Sequence, residues 1–217
     1  SCGGKYEKCI EPLQYLYSDR TLSAEIIPGK SVIGIAVDPE NRLAVAIDYI
    51  MTTGWGGYGI DIPTLENTPS SGAGIYVRGE RDSYLIRDGK ANTAKILAYG
   101  RSNGISYPAA EAAYNYQPGS CSSSSWCGRG NWYLPSNWQV FPYFDNRATI
   151  HLMLKAINKM PDDWWYTRND FYTVTSNEIN AKESGFIYIN TGGMAHGGKN
   201  LTEPDNLQTL VLPYITY

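Results

Sequence analysis

The pattern of apolar and polar positions changes character along the chain. In SVIGIAVDPENRLAVAIDYI, branched apolar residues fill nearly every position from Val32 to Val37 and from Leu43 to Ile47. Asp38-Pro39-Glu40-Asn41 lies between them and supplies turn chemistry, so the stretch predicts a β-hairpin. Both arms are apolar throughout instead of alternating, which predicts burial on both faces. Residues 51–74 then lose any period. Their Gly, Pro and Thr predict a long ordered loop around Trp55 and Tyr58.

Helical spacing follows. Asn92 reads as the N-cap of a helix that runs through Ala94, Ile96 and Leu97. Tyr107-Pro108 opens a second helix with proline in its first turn, and AAEAAYNY continues it with a small, closely packing face. In GRGNWYLPSNWQ, Gly128 to Gln139, Ser136 and Gln139 have the spacing of a capping box: the serine accepts a backbone N–H, and the glutamine reaches back to the cap. Trp132, Tyr133 and Leu134 are therefore expected to form a short buried strand. Pro135 stops it, and a helix starts after Ser136. Pro142 limits or kinks that helix. From Asn146 onward, Ile150, Met153, Leu154 and Ile157 share one face of a further helix, a stripe that belongs to a core.

Beyond Pro161 the pattern turns to strands, in FYTVTS, GFIYIN and LQTLVLPYI. The connection TGGMAHGGKN, Thr191 to Asn200, reads as flexible and exposed. Residues 1–12 read as a tether. Residues 13–217 read as one domain, with a β-rich part at 13–100 and a core at 101–217. The fold class expected from these elements is α+β.

Composition narrows the function. The net charge is −3 and charged residues make up 18% of the chain, so the basic footprint of a nucleic-acid binder is missing. No apolar run approaches the ~18 residues of a membrane helix. Eighteen Tyr and six Trp stand against four Phe, a balance that favours amphipathic aromatics on binding loops.

The four cysteines, Cys2, Cys9, Cys121 and Cys127, form two close pairs in sequence, and in a secreted chain this favours local disulfides. Closing the short CSSSSWC loop contributes roughly 2 kcal/mol at most. Spacings of seven and six do not suit a zinc ribbon. For Cys2, two readings stand. One is a Cys2–Cys9 disulfide. The other is acylation of Cys2 as in a mature bacterial lipoprotein, with the membrane touched only through that anchor.

Catalytic chemistry finds little support. A Ser-His-Asp site needs a histidine beside a nucleophile. His151 falls on a predicted helix next to Ile150 and reads as an ordinary packed or surface residue, and His196 falls in a Gly-rich connection and reads as a contact residue. Glu203-Pro204-Asp205-Asn206 is similar to the Glu-Pro-Asn of calcium-dependent sugar-binding lectins. No Trp-Asn-Asp follows it, so it reads as the loop before the last strand. No cofactor and no metal is expected, and the chain is not expected to be an enzyme.

Several of these segments carry a family resemblance. WYLPS at Trp132–Ser136, DGKANTAKIL, YPAAEAA and LYSDRTLSAEIIPGKSVIGIAV resemble bacterial surface domains of the Lcl C-terminal-domain type, related to the Fibrobacter-type major paralogous domains. Gln139-Val140 stands for the usual Glu-Leu, and TSNE at Thr175–Glu178 for SSTE. Gly192 and Lys199 keep the spacing of the variable stretch. Val174 and Leu212 depart from the family's Trp and Arg. The resemblance covers the chain from about Leu13. It implies a C-type-lectin-like fold: a small twisted antiparallel sheet, two or more flanking helices and long loops, here with an N-terminal β-hairpin extension. Some relatives are the variable proteins of diversity-generating systems.

The expectation that follows is a secreted or surface-anchored bacterial protein, in which C-terminal loops bind an unidentified protein or glycan. The expected contact residues are Trp164, Trp165, Tyr166, Arg168, Asn177, Asn180, Lys182, Met194, His196 and Asn200. The alternative is a pilus-tip or fibre subunit, with LQTLVLPYITY adding to a neighbour's sheet edge. A formylglycine-generating-type oxidase shares the broad fold and needs a reactive cysteine pair. Near Cys121 and Cys127 the only basic residue is Arg129, so activation of a thiolate is not evident.

Overall fold

The computed structural model describes residues 12–69, 87–159, 172–188, 193–200 and 209–217. The fold is α+β, with eleven strands and four helices among these residues. The hairpin forms as expected: β3 (Val32–Asp38) pairs antiparallel with β4 (Leu43–Ala46), Ile35 opposite Val45. With β1 (Gln14–Tyr17), β2 (Leu22–Ser23), β6 (Trp132–Tyr133) and β11 (Tyr214–Thr216) it builds a sheet in the order β2-β1-β3-β4-β11-β6. The chain's last strand thus pairs with its fourth, so the two halves interleave.

The uninterrupted apolar character of the hairpin has its expected cause. Ile35, Val37, Leu43 and Val45 face one cluster with Tyr143, Ile150 and Leu154, while Ile33, Ala36, Ala44 and Ala46 face another with Cys121, Cys127 and Trp132. Both faces of the sheet are covered.

The second sheet has the order β5-β10-β7-β8-β9. Its strands are β5 (Ile50–Thr52), β7 (Tyr172–Glu178), β8 (Glu183–Tyr188), β9 (Met194–Gly198) and β10 (Thr209–Val211). All pairings are antiparallel except β10 with β7. Helices α1 (Gly89–Asn103) and α2 (Pro108–Asn115) cover it through Ile96, Leu97, Ala109, Ala110 and Ala113, which meet Tyr172, Val174 and Phe186. Val174 fills a core position in this cluster, and Leu212 fills one in the hairpin's cluster.

The WYLPS segment joins the two sheets. Trp132 and Tyr133 pair with Ile215 and Tyr214. The Pro135 carbonyl accepts from the Ser176 amide at 2.7 Å. The capping box then starts α3 (Asn137–Asp145), which carries Pro142 and is followed by α4 (Arg147–Ala156). Ile150 and Leu154 are buried, and Met153 and Ile157 pack partly buried against the same cluster.

Two expectations need correction. Asn92 is not the cap of α1. Asp88, four residues earlier, caps it by accepting from the Lys90 and Ala91 amides. Asn92 is instead buried inside the helix, its Nδ2 donating to Ser176 Oγ at 3.1 Å. The Thr191–Asn200 connection is not wholly exposed either. Met194 to Gly198 form β9 on the edge of the second sheet, because β8 offers them a ladder. Thr191 and Gly192 lie outside the described residues.

Candidate functional site

Four of the expected contact residues meet at one end of the second sheet. Asn180 shapes the β7–β8 turn: its Oδ1 accepts from the Lys182 amide at 2.8 Å and the Glu183 amide at 3.0 Å, and its Nδ2 donates to Glu183 Oε2 at 2.8 Å. Such Asn side chains replace backbone turn bonds. Across β8–β9, His196 Nδ1 lies 3.1 Å from the other Glu183 oxygen. The Asn180 hydrogen bond, with a smaller pull from His196, holds the Glu183 carboxyl below its ordinary range. The Lys182 side chain is exposed, and its carbonyl accepts from the Lys199 amide at 2.8 Å. Asn200, also exposed, follows directly.

A residue outside the expected set joins this surface. The loop after β5 folds back over the turn, with the Gly59 amide donating to the Ala181 carbonyl at 2.8 Å. Tyr58, 52% exposed, precedes Gly59. The aromatic character of this loop was visible in the sequence. Its contact with a turn more than a hundred residues later was not.

Beneath the surface lies a buried ion pair. Lys199 Nζ is 2.6 Å from Glu178 Oε2, and both side chains are fully buried. The ammonium also donates to the Ile60 carbonyl at 2.6 Å and sits 5.0 Å from the centre of the Trp55 ring. Glu178 Oε1 accepts from the Ile62 amide at 3.1 Å. Two further bonds hold the loop: Trp55 Nε1 to the Thr175 carbonyl at 2.8 Å, and the Trp55 amide to the Lys199 carbonyl at 2.9 Å. Burial raises the Glu178 carboxyl to about 7, against the opposing pull of Lys199. The pair thus ties a loop without secondary structure onto the end of β7 and β9.

The other expected contact residues fall elsewhere. Asn177 and Met194 are each 1% exposed and offer no surface to a ligand. Asn177 is a structural link: its Oδ1 accepts from the Asn137 amide at 2.7 Å, and its Nδ2 donates to Thr68 Oγ1 at 2.8 Å. Met194 packs with Val140, Phe141 and Ile187. Trp164, Trp165, Tyr166 and Arg168 lie outside the described residues, as do Cys2, Cys9 and Glu203–Asn206. Cys121 and Cys127 form a disulfide. His151 is buried, with Nε2 3.0 Å from the Tyr143 hydroxyl. Among the described residues, no cluster of three or more His, Cys, Asp or Glu side chains is placed to hold a metal ion.

The arrangement is suited to binding by hydrogen bonds. It offers the Asn200 amide, the Lys182 ammonium and the Tyr58 phenol on a floor fixed by the ion pair, while His196 holds Nδ1 against Glu183 and keeps Nε2 buried.

Neither a protein-family model nor a curated protein matches the chain. Its fold is similar to that of a fimbrial protein from Bacteroides ovatus, with a TM-score of 0.56 and 16% sequence identity. The similarity covers 94% of this chain and 48% of the fimbrial protein, so the chain spans about half that protein's length. Among the described residues, no helix is long and apolar enough to cross a membrane.

Proposed function

We propose that this chain is an extracellular bacterial protein that forms part of a surface fibre. The observation that carries the reading is the correspondence of its fold, over nearly its whole length, with a fimbrial protein. The Cys121–Cys127 disulfide fits an oxidising compartment outside the cytosol. The mode of assembly differs from addition of the last strand to a neighbour. β10 lies between β5 and β7, and β11 lies between β4 and β6, so each is already paired on both sides within its own chain. Among the described residues, β9 presents an open edge to which a strand could add.

Two finer readings belong to the same proposal. The C-terminal half is a C-type-lectin-like scaffold of the Lcl C-terminal-domain type, supported by the WYLPS joint, the two helices over a mostly antiparallel sheet and the long loop after β5. The chain is a binding and structural protein and not an enzyme. His151, locked in the core against Tyr143, supports that reading.

Immunogold labelling of the producing cells and of sheared surface filaments tests the proposal. Label along or at the tips of filaments is expected. Label confined to the cell interior would sink it.

A second reading is favoured by the clustering of Asn180, Lys182, His196 and Asn200 beside Tyr58: the end of the second sheet binds a protein or glycan. Alanine at Tyr58, Lys182 and His196 together should abolish adhesion of the purified chain to its target surface while leaving the fold intact.

A further inference from the structure

Trp138 is the second residue of α3. Its neighbours Asn137, Gln139 and Val140 are buried, yet the residue itself is 37% exposed. A single exposed aromatic is ordinary. The surroundings of this one are not. Two cavities, of about 410 and 380 Å³, adjoin and share Asp38, Asn41 and Trp138 among their walls. The first adds Arg87, Asp88 and Thr216, and the second adds Glu40 and Asp145. Together they make a cleft between the β3–β4 turn and α3, with the indole at the junction.

The walls of the cleft are held in place before anything binds. The Arg87 guanidinium lies 4.2 Å from the centre of the Trp138 ring, and Phe141 meets the ring edge-on at 6.3 Å. Asp38 is fixed by two hydrogen bonds from Asn41, its Oδ1 accepting from the backbone amide at 3.1 Å and its Oδ2 from Nδ2 at 2.7 Å. Asp88 is fixed by capping α1. An ionised carboxylate has about four lone-pair sites, so both aspartates keep acceptor capacity toward the cleft. Groups ordered in advance lower the entropic cost of binding.

We infer that this cleft binds a neutral oligosaccharide that crosses Trp138, with sugar units in both cavities. The C–H face of a sugar is weakly positive and apolar, and it matches the negative face of an indole. Its hydroxyl groups donate to the carboxylates and accept from Arg87 and Asn41. The four carboxylates, Asp38, Glu40, Asp88 and Asp145, repel an anionic glycan. Arg87 lies over part of the Trp138 ring and offsets part of the negative charge of its face, and the sugar packs on the indole surface that stays exposed. This site is separate from the end of the second sheet and does not depend on fibre assembly.

The test is calorimetric titration of the purified full chain with neutral hexasaccharides of glucose, mannose, xylose and N-acetylglucosamine. A heparin hexasaccharide and an oligolysine peptide serve as charged arms. At least one neutral hexasaccharide should bind. Trp138→Ala should weaken that binding tenfold or more, Trp138→Phe should weaken it less, and Leu152→Ala, at an exposed position of α4, should leave it unchanged. Should Trp138→Ala fail to fold, Trp138→Phe must still weaken binding several-fold. The inference is overturned if no neutral hexasaccharide binds, if only a charged probe binds, if binding survives loss of the indole, or if Lys182→Ala with His196→Ala abolishes it, which would place the sugar at the end of the second sheet. Filament labelling is a separate readout, so the fibre reading and this one fail independently.

Discussion

Glu178 and Lys199 are the last residue of β7 and the first residue after β9, and their charged atoms meet at 2.6 Å with no exposure to solvent. Burying two charges is expensive, and the attraction offsets this only where geometry is good and the remaining donors and acceptors are satisfied. Here the Ile60 carbonyl and the Ile62 amide satisfy them. Removing one partner leaves an uncompensated group, so Lys199→Ala should lower stability by about 3–5 kcal/mol. The double variant Glu178→Gln with Lys199→Met should recover much of that loss. Urea unfolding of the three proteins checks this. A Lys199→Ala protein as stable as the wild type would show that the pair does not hold the loop.

Asn177 and Lys182 are separated by only four residues and should behave oppositely. Asn177→Ala removes the acceptor for the Asn137 amide and the donor to Thr68, so it should cost about 1–3 kcal/mol. Lys182→Ala and Asn200→Ala, at exposed positions, should stay within about 0.5 kcal/mol. Thermal unfolding of the three variants separates them, and an unchanged Asn177→Ala protein would contradict the interior role.

Elements governed by local rules were legible in the sequence. The β3–β4 turn, the proline at the start of α2 and the Ser136–Gln139 box each follow from residues a few positions apart. Features decided by distant partners were not. Asp88 and Asn92 are both good cap residues, and only the contact of Asn92 with Ser176 shows which of them lies inside the helix. Met194 to Gly198 carry little strand propensity and pair because β8 lies beside them. Asn177, Glu178 and Lys199 are polar residues in a stretch that reads as a surface. Their burial depends on the loop after β5, which no short-range pattern connects to them. Trp138 was seen only as part of a helix start, because the cleft around it is walled by the distant turn at Asp38–Asn41.

Gln139 has a second task beyond its own helix. Its Oε1 accepts from the Ser136 amide at 3.0 Å and also from the Gly89 amide at 3.1 Å, which joins the starts of α3 and α1. Gln139→Leu leaves two buried donors unsatisfied and should cost about 2–5 kcal/mol. Gln139→Glu keeps the acceptor and should cost much less. Gly89 explains why this approach is possible: a Cβ there would lie 2.5 Å from Gln139 Oε1 and 2.5 Å from the Leu134 carbonyl oxygen. Gly89→Ala should therefore destabilise the fold, although alanine favours helices elsewhere. Denaturant midpoints for the three variants are the measurement.

The Cys121–Cys127 bridge packs against the hairpin sheet, and Trp132 Nε1 donates to the Cys127 carbonyl at 2.8 Å. Closing so short a loop should contribute about 2 kcal/mol through the unfolded chain. Reduction should lower the unfolding midpoint accordingly, and the double Cys→Ser variant should show a similar loss without further change on adding reductant. A midpoint insensitive to reductant in the wild type would show that the bridge contributes nothing.

His151 should give the chain an acid-sensitive core. Burial first, and the Arg147 charge second, lower its pKa to about 4 from an ordinary value of 6.5. Its Nε2 lies 3.0 Å from the Tyr143 hydroxyl, and the neutral ring can accept from it. The unfolded chain therefore binds the proton more tightly than the folded chain between these two values. Stability from this group is complete above about pH 6.5 and is lost as pH falls toward 4, by about 3 kcal/mol at most. Glu178 acts in the opposite sense. Its raised pKa makes its contribution fall as pH rises from 4.5 toward about 7. Comparing the wild type with His151→Gln cancels the Glu178 effect, because both proteins retain it. Urea unfolding at intervals from pH 7 to 4 should show the wild type losing stability more steeply than the variant. Parallel curves would mean that His151 takes up its proton without disturbing the fold.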